Sequence, residues 1–324
     1  MIAVVHLVWG PLGVAPVREF LASYRRHAAG VEHELIVLLN GVDDEDLRSQ
    51  LLAELERIEH RLLTLPKPVQ DLTAYAQAAR QLEHERLCFV NSHSVILAAE
   101  WLAKLSDGLD QPHAGLVAAT GSWASLSSWV RYTLLLPGPY SGVLPDRRAA
   151  KQQFIAIGAE REGADRPSDG ERSSPPRGPS PLDRLRELPS IPEQLIRFGA
   201  FPAQHLRTNA FMAERAVFTS LRMGRIARKM DAYSLESGRN SITRQVQRRG
   251  LRALVVDRDG GLYDPERWPE SRTFWQGDQE GLLIADNQTC FYSNGPPERR
   301  RLLSAFAWGR QADPVVRSAG SLRS

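Results

Sequence analysis

Short apolar runs alternate, through the N-terminal third of the chain, with segments whose apolar side chains recur at helical spacing. The β-branched run over residues 3–8 ends at Gly10 and Pro11, and the next apolar positions are Val17, Phe20, Leu21 and Tyr24. An amphipathic segment also follows each of three further runs, at residues 34–39, 61–65 and 87–90. This alternation predicts a mainly parallel sheet covered by helices on both faces.

The C-terminal half continues the pattern less regularly. Residues 115–120 and 253–256 are predicted strands, and residues 123–154 are predicted to form mixed helix and loop with exposed aromatic side chains. The stretch "HLRTNAFMAERAVFTSL" predicts a strand or loop that runs into a helix, and basic helices are predicted over residues 222–229 and 239–249. Together these elements predict a single α/β domain.

One long segment lacks the apolar side chains that a packed element needs. Residues 159–189 are rich in Pro, Gly, Ser and charge, and such a composition buries too little apolar surface to offset its ordering entropy. We therefore expect a disordered insertion over residues 157–190, either a lid over a binding crevice or a surface loop. A flexible tail is expected over residues 313–324.

Composition and charge narrow the class of protein. The 324 residues include 41 Lys and Arg against 38 Asp and Glu, a net charge of +3 that suits an anionic ligand or membrane surface without requiring nucleic acid. Cys88 and Cys290 form no ligand pair or disulfide framework, which favours a reducing cytoplasm. We find no apolar run long enough to span a membrane and no cleavable leader pattern.

Polar residues follow one predicted strand directly. In "CFVNSHSVIL", Asn91, Ser92 and His93 come after the apolar run 87–90. Ligands of open α/β sheets bind beyond the carboxyl ends of the strands, so this triplet is a candidate site. A polar turn with a capping residue explains the same three residues equally well.

Several catalytic motifs are absent from the sequence. We find no G-x-S-x-G, no G-x-x-x-x-G-K-[ST], no G-x-G-x-x-G and no paired Cys or His cluster. The chemistries that depend on those motifs are therefore not indicated.

The order of these elements resembles that of the family 2 type glycosyltransferases, which have the nucleotide-sugar fold called GT-A. The resemblance rests on the second strand with its acidic turn, "IVLLNGVDDED", on "QDLTAYAQAAR", and on the strand whose polar triplet precedes "WLAKL". It implies a nucleotide-sugar donor and a hydroxyl of a glycan or glycolipid as acceptor, in surface polysaccharide assembly. Residues 1–156 would then form the donor part and residues 191–312 the acceptor and catalytic-base part, in the cytoplasm or at the inner face of the membrane.

The resemblance also assigns residues to the donor. Asn91, Ser92 and His93 stand where the family has an Asp-x-Asp motif that holds a divalent metal on the diphosphate. His93 is then the one candidate metal ligand, and imidazole favours Mn²⁺ over Mg²⁺. Alternatively, arginines neutralise the diphosphate, and the candidates are Arg207, Arg239 and Arg244. The donor set is completed by Asn40 and Asp43 for the base, and by Asp71.

Transfer with inversion needs a general base for the acceptor hydroxyl. In "DAYSLESGRNSITRQ", Glu236 stands where the family has an acidic pair, with Ser237 replacing the second acid. Glu236 is therefore the first candidate base and Asp231 the second. The alternative is that Glu236 or Ser237 caps the helix that follows.

Three residues are candidates for binding the acceptor. Trp275 and Asp278 belong to an aromatic and polar stretch typical of sugar sites, and Asn209 lies in "RTNAFMAER". Core packing is the alternative for Trp275.

Two other classes of function compete with sugar transfer. If the chain is a non-catalytic relative of the family, Asn91, Ser92 and His93 replace the acidic motif because catalysis has been lost. The protein would then act as a binding or scaffold protein. A nucleic-acid binder would need aromatics among the basic residues 222–249, where only Tyr233 occurs, so nucleic acid is not an expected partner.

Overall fold

The computed structural model of the chain describes residues 1–136, 138–164, 191–226 and 228–313. An eight-stranded sheet runs through this part of the molecule. From edge to edge its strands are β11 (Leu262–Tyr263), β10 (Arg252–Val256), β6 (Ala114–Ala118), β9 (Ala210–Glu214), β4 (Arg86–Val90), β1 (Ile2–Trp9), β2 (His33–Asn40) and β3 (Arg61–Thr64). Two small pairs accompany it, β5 (Val95–Ile96) with β12 (Ile284–Ala285) and β7 (Gly121–Ser122) with β8 (His205–Leu206).

The sheet is mainly parallel, with one reversed strand near its centre. Strands β1 to β4 run parallel to one another, and β6 pairs in parallel with β10. Strand β9 lies between β4 and β6 and is antiparallel to both. The carboxyl ends of six strands therefore meet the amino end of β9 at one edge, where binding sites of α/β sheets form.

Helices cover both faces, as the period of the apolar side chains predicts. Successive residues of β1, such as Val4 and Val5, point to opposite faces of the sheet and belong to separate hydrophobic clusters. One face carries α1 (Ala15–Arg26), α2 (Glu45–Leu55) and α4 (Trp101–Leu109), and the other carries α3 (Asp71–Gln81) and α5 (Leu126–Thr133). The predicted α/β fold class, a mainly parallel sheet flanked by helices in a single domain, is confirmed.

The remaining helices belong to the C-terminal side of the fold. They are α6 (Arg147–Ala164), α7 (Ile191–Arg197), α8 (Arg215–Thr219), α9 (Lys229–Ser237), α10 (Ile242–Gln247), α11 (Asn287–Ser293) and α12 (Pro297–Trp308). Short 3-10 helices cover Gly10–Leu12, Pro265–Ser271 and Gly309–Gln311.

Two predicted features fall partly on residues outside the described ranges. Helix α6 continues to Ala164, so its last two turns lie within the predicted insertion 157–190. The remainder, 165–190, lies outside the described residues, as does the predicted tail from 314 onward.

Two local predictions were wrong. Trp129, Tyr132 and Tyr140 are buried, because they pack with α6 and α12 in a shared core. Residues 222–226 are not helical, and the helix begins only at Lys229. At the start of α2, the side chain of Asp44 caps the helix by accepting a hydrogen bond from Leu47 N–H at 2.9 Å.

None of the helices among the described residues is long and apolar enough to cross a membrane.

Candidate functional site

The loops after β1 and β2 touch at the carboxyl edge of the sheet. A Cβ atom on Gly10 would lie 2.0 Å from the carbonyl oxygen of Gly41, so only glycine allows this approach. In the strand order, β4, β9 and β6 follow β1 on the side away from β2, so we expect a binding crevice at this edge, with the Gly10–Gly41 contact on one side of it.

Asn91 forms the turn at the end of β4. Its N–H donates to the carbonyl of Asn209 at 2.8 Å, and its Oδ1 accepts from His93 N–H at 3.1 Å and from Ser94 Oγ at 2.9 Å. The bond to Asn209 joins the end of β4 to the start of β9, and the two bonds to Oδ1 close the turn itself. The polar-turn alternative therefore accounts for the side chain of Asn91.

Ser92 and His93 differ in what holds them. Ser92 is buried, and its Oγ accepts a hydrogen bond from Trp9 N–H at 3.1 Å, which joins β4 to β1. The ring of His93 is half-buried and makes no hydrogen bond within the described part of the chain. Of the triplet, His93 is thus the side chain left to contact a ligand.

Asn209 presents a buried donor to the crevice edge. The residue is 3% exposed, and its Oδ1 accepts from Thr120 Oγ1 at 2.7 Å. Its Nδ2 has no hydrogen-bond partner among the described residues. Buried amide groups are rarely left unpaired, because the lost hydration costs about 1–3 kcal/mol. Asn209 therefore marks a place where a bound oxygen would be favoured.

Glu236 lies in the last turn of α9 and faces the start of β9. Its Oε1 accepts a hydrogen bond from Thr208 N–H at 3.1 Å. The next helix is capped by Ser241, whose side chain accepts from Arg244 N–H at 3.3 Å. The capping alternative for Glu236 and Ser237 is thereby excluded.

Asp71 and Glu236 come close enough for their charges to interact. Asp71 is exposed to solvent, although protein atoms crowd around its carboxyl group. Desolvation and the negative charge of Glu236 raise the pKa of Asp71 to about 6. Two acids from separate helices therefore share one crevice, and one of them titrates near neutrality.

His205 is a buried neighbour of this pair that the sequence did not single out. Burial lowers its pKa, while the charge of Glu236 raises it. Its Nδ1 lies 2.7 Å from the carbonyl oxygen of Ala203, which orients the ring. No local pattern marks His205, because only the fold brings it to Glu236.

Asp231 lies at the opposite end of α9 from Glu236. Its Oδ2 accepts from Arg228 N–H at 2.9 Å, and its Oδ1 pairs with Arg197 at 2.7 Å. These contacts stabilise the start of the helix, and the structure does not bring Asp231 to the crevice edge where Glu236 lies.

The predicted phosphate-binding arginines differ in their surroundings. Arg207 is 6% exposed, lies 3.1 Å from the carboxylate of Asp286 and stacks on Phe274 at 4.3 Å. Arg239 and Arg244 line a cavity whose lining does not include Arg207. The long-range Arg207–Asp286 ion pair has no local sequence signal.

The donor-base candidates lie at the end of β2. Asn40 is fully buried, and its amide donates to Val69 O at 2.7 Å and accepts from Val69 N–H at 3.0 Å. Asn40 therefore holds the loop before α3, while Asp43 is exposed at the crevice side of β2.

The acceptor assignment of Trp275 needs correction. The residue is 4% exposed, its ring stacks on Phe274 at 4.3 Å, and its Nε1–H donates to Gln288 O at 3.1 Å. A sugar platform needs an accessible ring face, so Trp275 is a core residue. Asp278 is exposed and forms an ion pair with Arg300 of α12.

The residues present do not fit a preformed metal site. Among the described residues, no three His, Cys, Asp or Glu side chains are grouped so as to hold a metal ion. His93 supplies a single imidazole where a stable divalent site needs several ligands. We therefore derive no chemical step through a metal.

No sequence model of a known protein family matches the chain, and no curated protein sequence matches it. Solved structures do show similarity. One is the mannosyltransferase PcManGT from Pyrobaculum calidifontis in complex with GDP-Man and Mn²⁺, with 15% identity over 36% of this chain and 34% of that chain and a TM-score of 0.31.

Another similar structure is S. aureus TarS 1-349 in complex with UDP-GlcNAc, with 19% identity over 36% of this chain and 33% of that chain and a TM-score of 0.29. The chain thus spans about a third of the length of these structures. A likeness of this extent does not assign an activity.

Proposed function

We propose that the chain is a glycosyltransferase that moves a sugar from a nucleotide-sugar donor to a hydroxyl of a glycan or glycolipid acceptor. The observation that carries this proposal is that Asp71 and Glu236, from two separate helices, lie within electrostatic range of each other near the carboxyl edge of the sheet. Asn209, with its unpaired buried donor, lies at the same edge. A nucleotide-sugar presents the hydroxyl and phosphate oxygens that such groups bind.

Glu236 is the proposed general base. In inverting transfer the acceptor oxygen forms a bond to the anomeric carbon, the bond from that carbon to the phosphate oxygen breaks, and the hydroxyl proton passes to a carboxylate. The Thr208 N–H holds one oxygen of Glu236. The other oxygen, Oε2, makes no hydrogen bond within the described part of the chain and is the proposed proton acceptor.

The donor is proposed to lie between the ends of β2, β4 and β9. Asn209 Nδ2 and the ring of His93 would donate to phosphate oxygens, and Asp71 would accept from donor hydroxyls. Asp43 remains the candidate for the base edge. Asn40, Asn91 and Ser92 would act indirectly, because their side chains already hold the backbone that shapes the crevice.

The test is a thermal-shift screen of the full chain against UDP, GDP, dTDP and CMP sugars, each with and without Mn²⁺. A ligand at about 100 times its Kd stabilises the folded state by about 2.7 kcal/mol. We expect one nucleotide class to raise the melting temperature, and Asn209→Ala to reduce that shift while the exposed control Glu56→Gln keeps it. The absence of a shift with every donor would contradict the proposal.

A non-catalytic binding or scaffold protein is the second candidate. It is favoured by Asn91, Ser92 and His93, which replace an acidic motif, and by the missing cluster of metal ligands among the described residues. Donor binding with release of nucleotide from the sugar would support the transferase. Donor binding without any release, and without effect of Glu236→Gln, would support the scaffold.

The cellular setting follows from the proposed acceptor. Surface polysaccharide assembly, in the cytoplasm or at the inner face of the membrane, is the proposed context, with no nucleic acid as partner. Because the described residues offer no preformed metal site, a divalent cation is proposed only as an optional partner of the donor diphosphate, Mn²⁺ in preference to Mg²⁺, and the Mn²⁺ arm of the screen tests it.

A further inference from the structure

A second cavity opens beside the last turn of α9. Its volume is about 620 Å³, and its lining includes Ser237, Gly238, Arg239, Arg244 and Arg248. Three guanidinium groups thus border a space large enough for a small anion together with part of the molecule that carries it.

The three arginines are positioned without being neutralised. Arg239 Nε donates to Ile196 O at 3.0 Å, and Arg248 Nη1 donates to Asn240 Oδ1 at 2.8 Å. Arg244 Nη1 donates to Gln247 Oε1 at 3.3 Å. None of the three forms an ion pair with a carboxylate within the described ranges, whereas Arg197 and Arg228 nearby both do.

The cavity adjoins the proposed catalytic base. Ser237 and Gly238, which line it, follow Glu236 directly in the chain. Both Glu236 and Arg244 act electrostatically on the buried ring of His205. A ligand in the cavity would therefore lie close to Glu236.

Helix α7, which precedes Gly199 and Ala200 of the cavity lining, carries exposed apolar side chains. Ile196, whose carbonyl accepts from Arg239, has a side chain that is 72% exposed. Among the described residues, six of the nine exposed large apolar side chains lie on α7, on α6 and just after α5. They are Leu134, Leu135, Leu136, Ile155, Ile191 and Ile196.

We propose that the cavity lined by Arg239, Arg244 and Arg248 binds a phosphate or diphosphate group of the acceptor. Guanidinium groups form bidentate hydrogen bonds with phosphate oxygens, and three uncompensated charges favour an anion over a neutral sugar. The identification of the bound molecule as the acceptor rests on the proposed function. The prediction of an anion-binding site does not.

The first experiment titrates inorganic pyrophosphate into the full chain by calorimetry. We expect binding that weakens about tenfold or more in the double variant Arg244→Gln/Arg248→Gln, because the two substitutions remove charge-assisted hydrogen bonds to the anion; tenfold corresponds to about 1.4 kcal/mol. The control Arg26→Gln/Arg57→Gln removes two exposed arginines elsewhere and should keep the wild-type affinity. Unfolding midpoints of both variants check that they fold.

Two results would overturn the proposal. One is pyrophosphate binding of equal affinity in the wild type and in Arg244→Gln/Arg248→Gln, and the other is no pyrophosphate binding at all. Nucleotide-sugar binding is measured in parallel with the thermal-shift screen. Loss of pyrophosphate binding in the double variant, with unchanged donor binding, supports the site whether or not turnover is found.

A second arm identifies the source of the phosphate. The wild type is sedimented with phosphatidylcholine vesicles that contain or lack a lipid phosphate monoester, with and without soluble pyrophosphate. A lipid-linked phosphate is supported if the wild type sediments with the phosphate vesicles, soluble pyrophosphate abolishes this retention, and the variant Arg244→Gln/Arg248→Gln is not retained. Binding of soluble pyrophosphate without vesicle retention supports a water-soluble phosphorylated glycan.

Discussion

The carboxylate of Glu236 accepts a hydrogen bond from the backbone N–H of Thr208 at 3.1 Å, although the two residues are 28 positions apart. This bond joins the last turn of α9 to the start of the antiparallel strand β9. The backbone N–H of Thr208 thus orients the side chain of the candidate base. Because the amide oxygen of a glutamine accepts the same hydrogen bond, Glu236→Gln removes the carboxylate and leaves this contact in place.

We expect Glu236→Gln to lower turnover by about 10²–10⁴-fold, the usual contribution of a general base. Donor binding should stay nearly unchanged, because the amide oxygen of Gln still accepts from Thr208 N–H. Nucleotide release measures turnover, and the thermal shift measures donor binding. Glu56→Gln is the control, and turnover equal to wild type in Glu236→Gln would remove Glu236 as the base.

Asp71→Asn should change how stability depends on pH. The pKa of Asp71 in the folded protein, about 6, lies above its ordinary value of 3.8, because of desolvation and the charge of Glu236. The folded state thus binds this proton more tightly than the unfolded state, and the stabilisation is lost as pH rises from about 4 to 6. In urea unfolding, the free energy of unfolding of Asp71→Asn should increase relative to that of the wild type between about pH 4 and 6. The difference should then stay constant at higher pH. Parallel curves from pH 3 to 8 would contradict the shifted pKa.

His6→Leu should stabilise the protein. His6 is fully buried on β1, stacks on Phe20 at 3.7 Å, and neither of its ring nitrogens has a hydrogen-bond partner among the described residues. Leucine removes this unpaired polar group, a gain of about 1–3 kcal/mol offset in part by the lost stacking.

The gain from His6→Leu should grow in acid. Burial lowers the pKa of His6 to about 3, so below pH 6.5 the unfolded state binds a proton that the folded state refuses. Wild type should lose up to about 1.4 kcal/mol for each pH unit between 6.5 and 3 from this group, and the variant should not. Denaturant unfolding at several pH values measures the difference, and a constant difference would be contrary to expectation.

Gly10→Ala should destabilise the crevice wall by about 1–3 kcal/mol, because the new Cβ meets the carbonyl of Gly41 and the two loops must separate. The matched control is Gly158→Ala within α6, where a Cβ meets no atom within 4 Å. That substitution should stabilise by about 0.5–1 kcal/mol, the helix preference of alanine over glycine. Chemical denaturation of both variants tests the pair, and equal effects would argue against the contact.

Helix and strand positions could be predicted because periodicity is a local property. Strands β1, β2, β4 and β10 lie within one residue of their predicted bounds at each end. The same local information placed Asn91, Ser92 and His93 at a strand end. It failed for residues 222–226, where composition favoured a helix but packing against Gln245 holds the backbone of Arg222 by hydrogen bonds at 2.8 and 3.0 Å.

The amino-acid sequence by itself determined the α/β class and the residues at each strand end, since both depend on near neighbours in the chain. Only the tertiary structure decided that β9 inserts antiparallel between β4 and β6, and that Asp71 lies within electrostatic range of Glu236. It also buried Trp275 and placed Arg239 beside a cavity that Arg207 does not line. These outcomes depend on contacts between distant segments, whose strength comes from burial and charge in the folded molecule rather than from any local pattern.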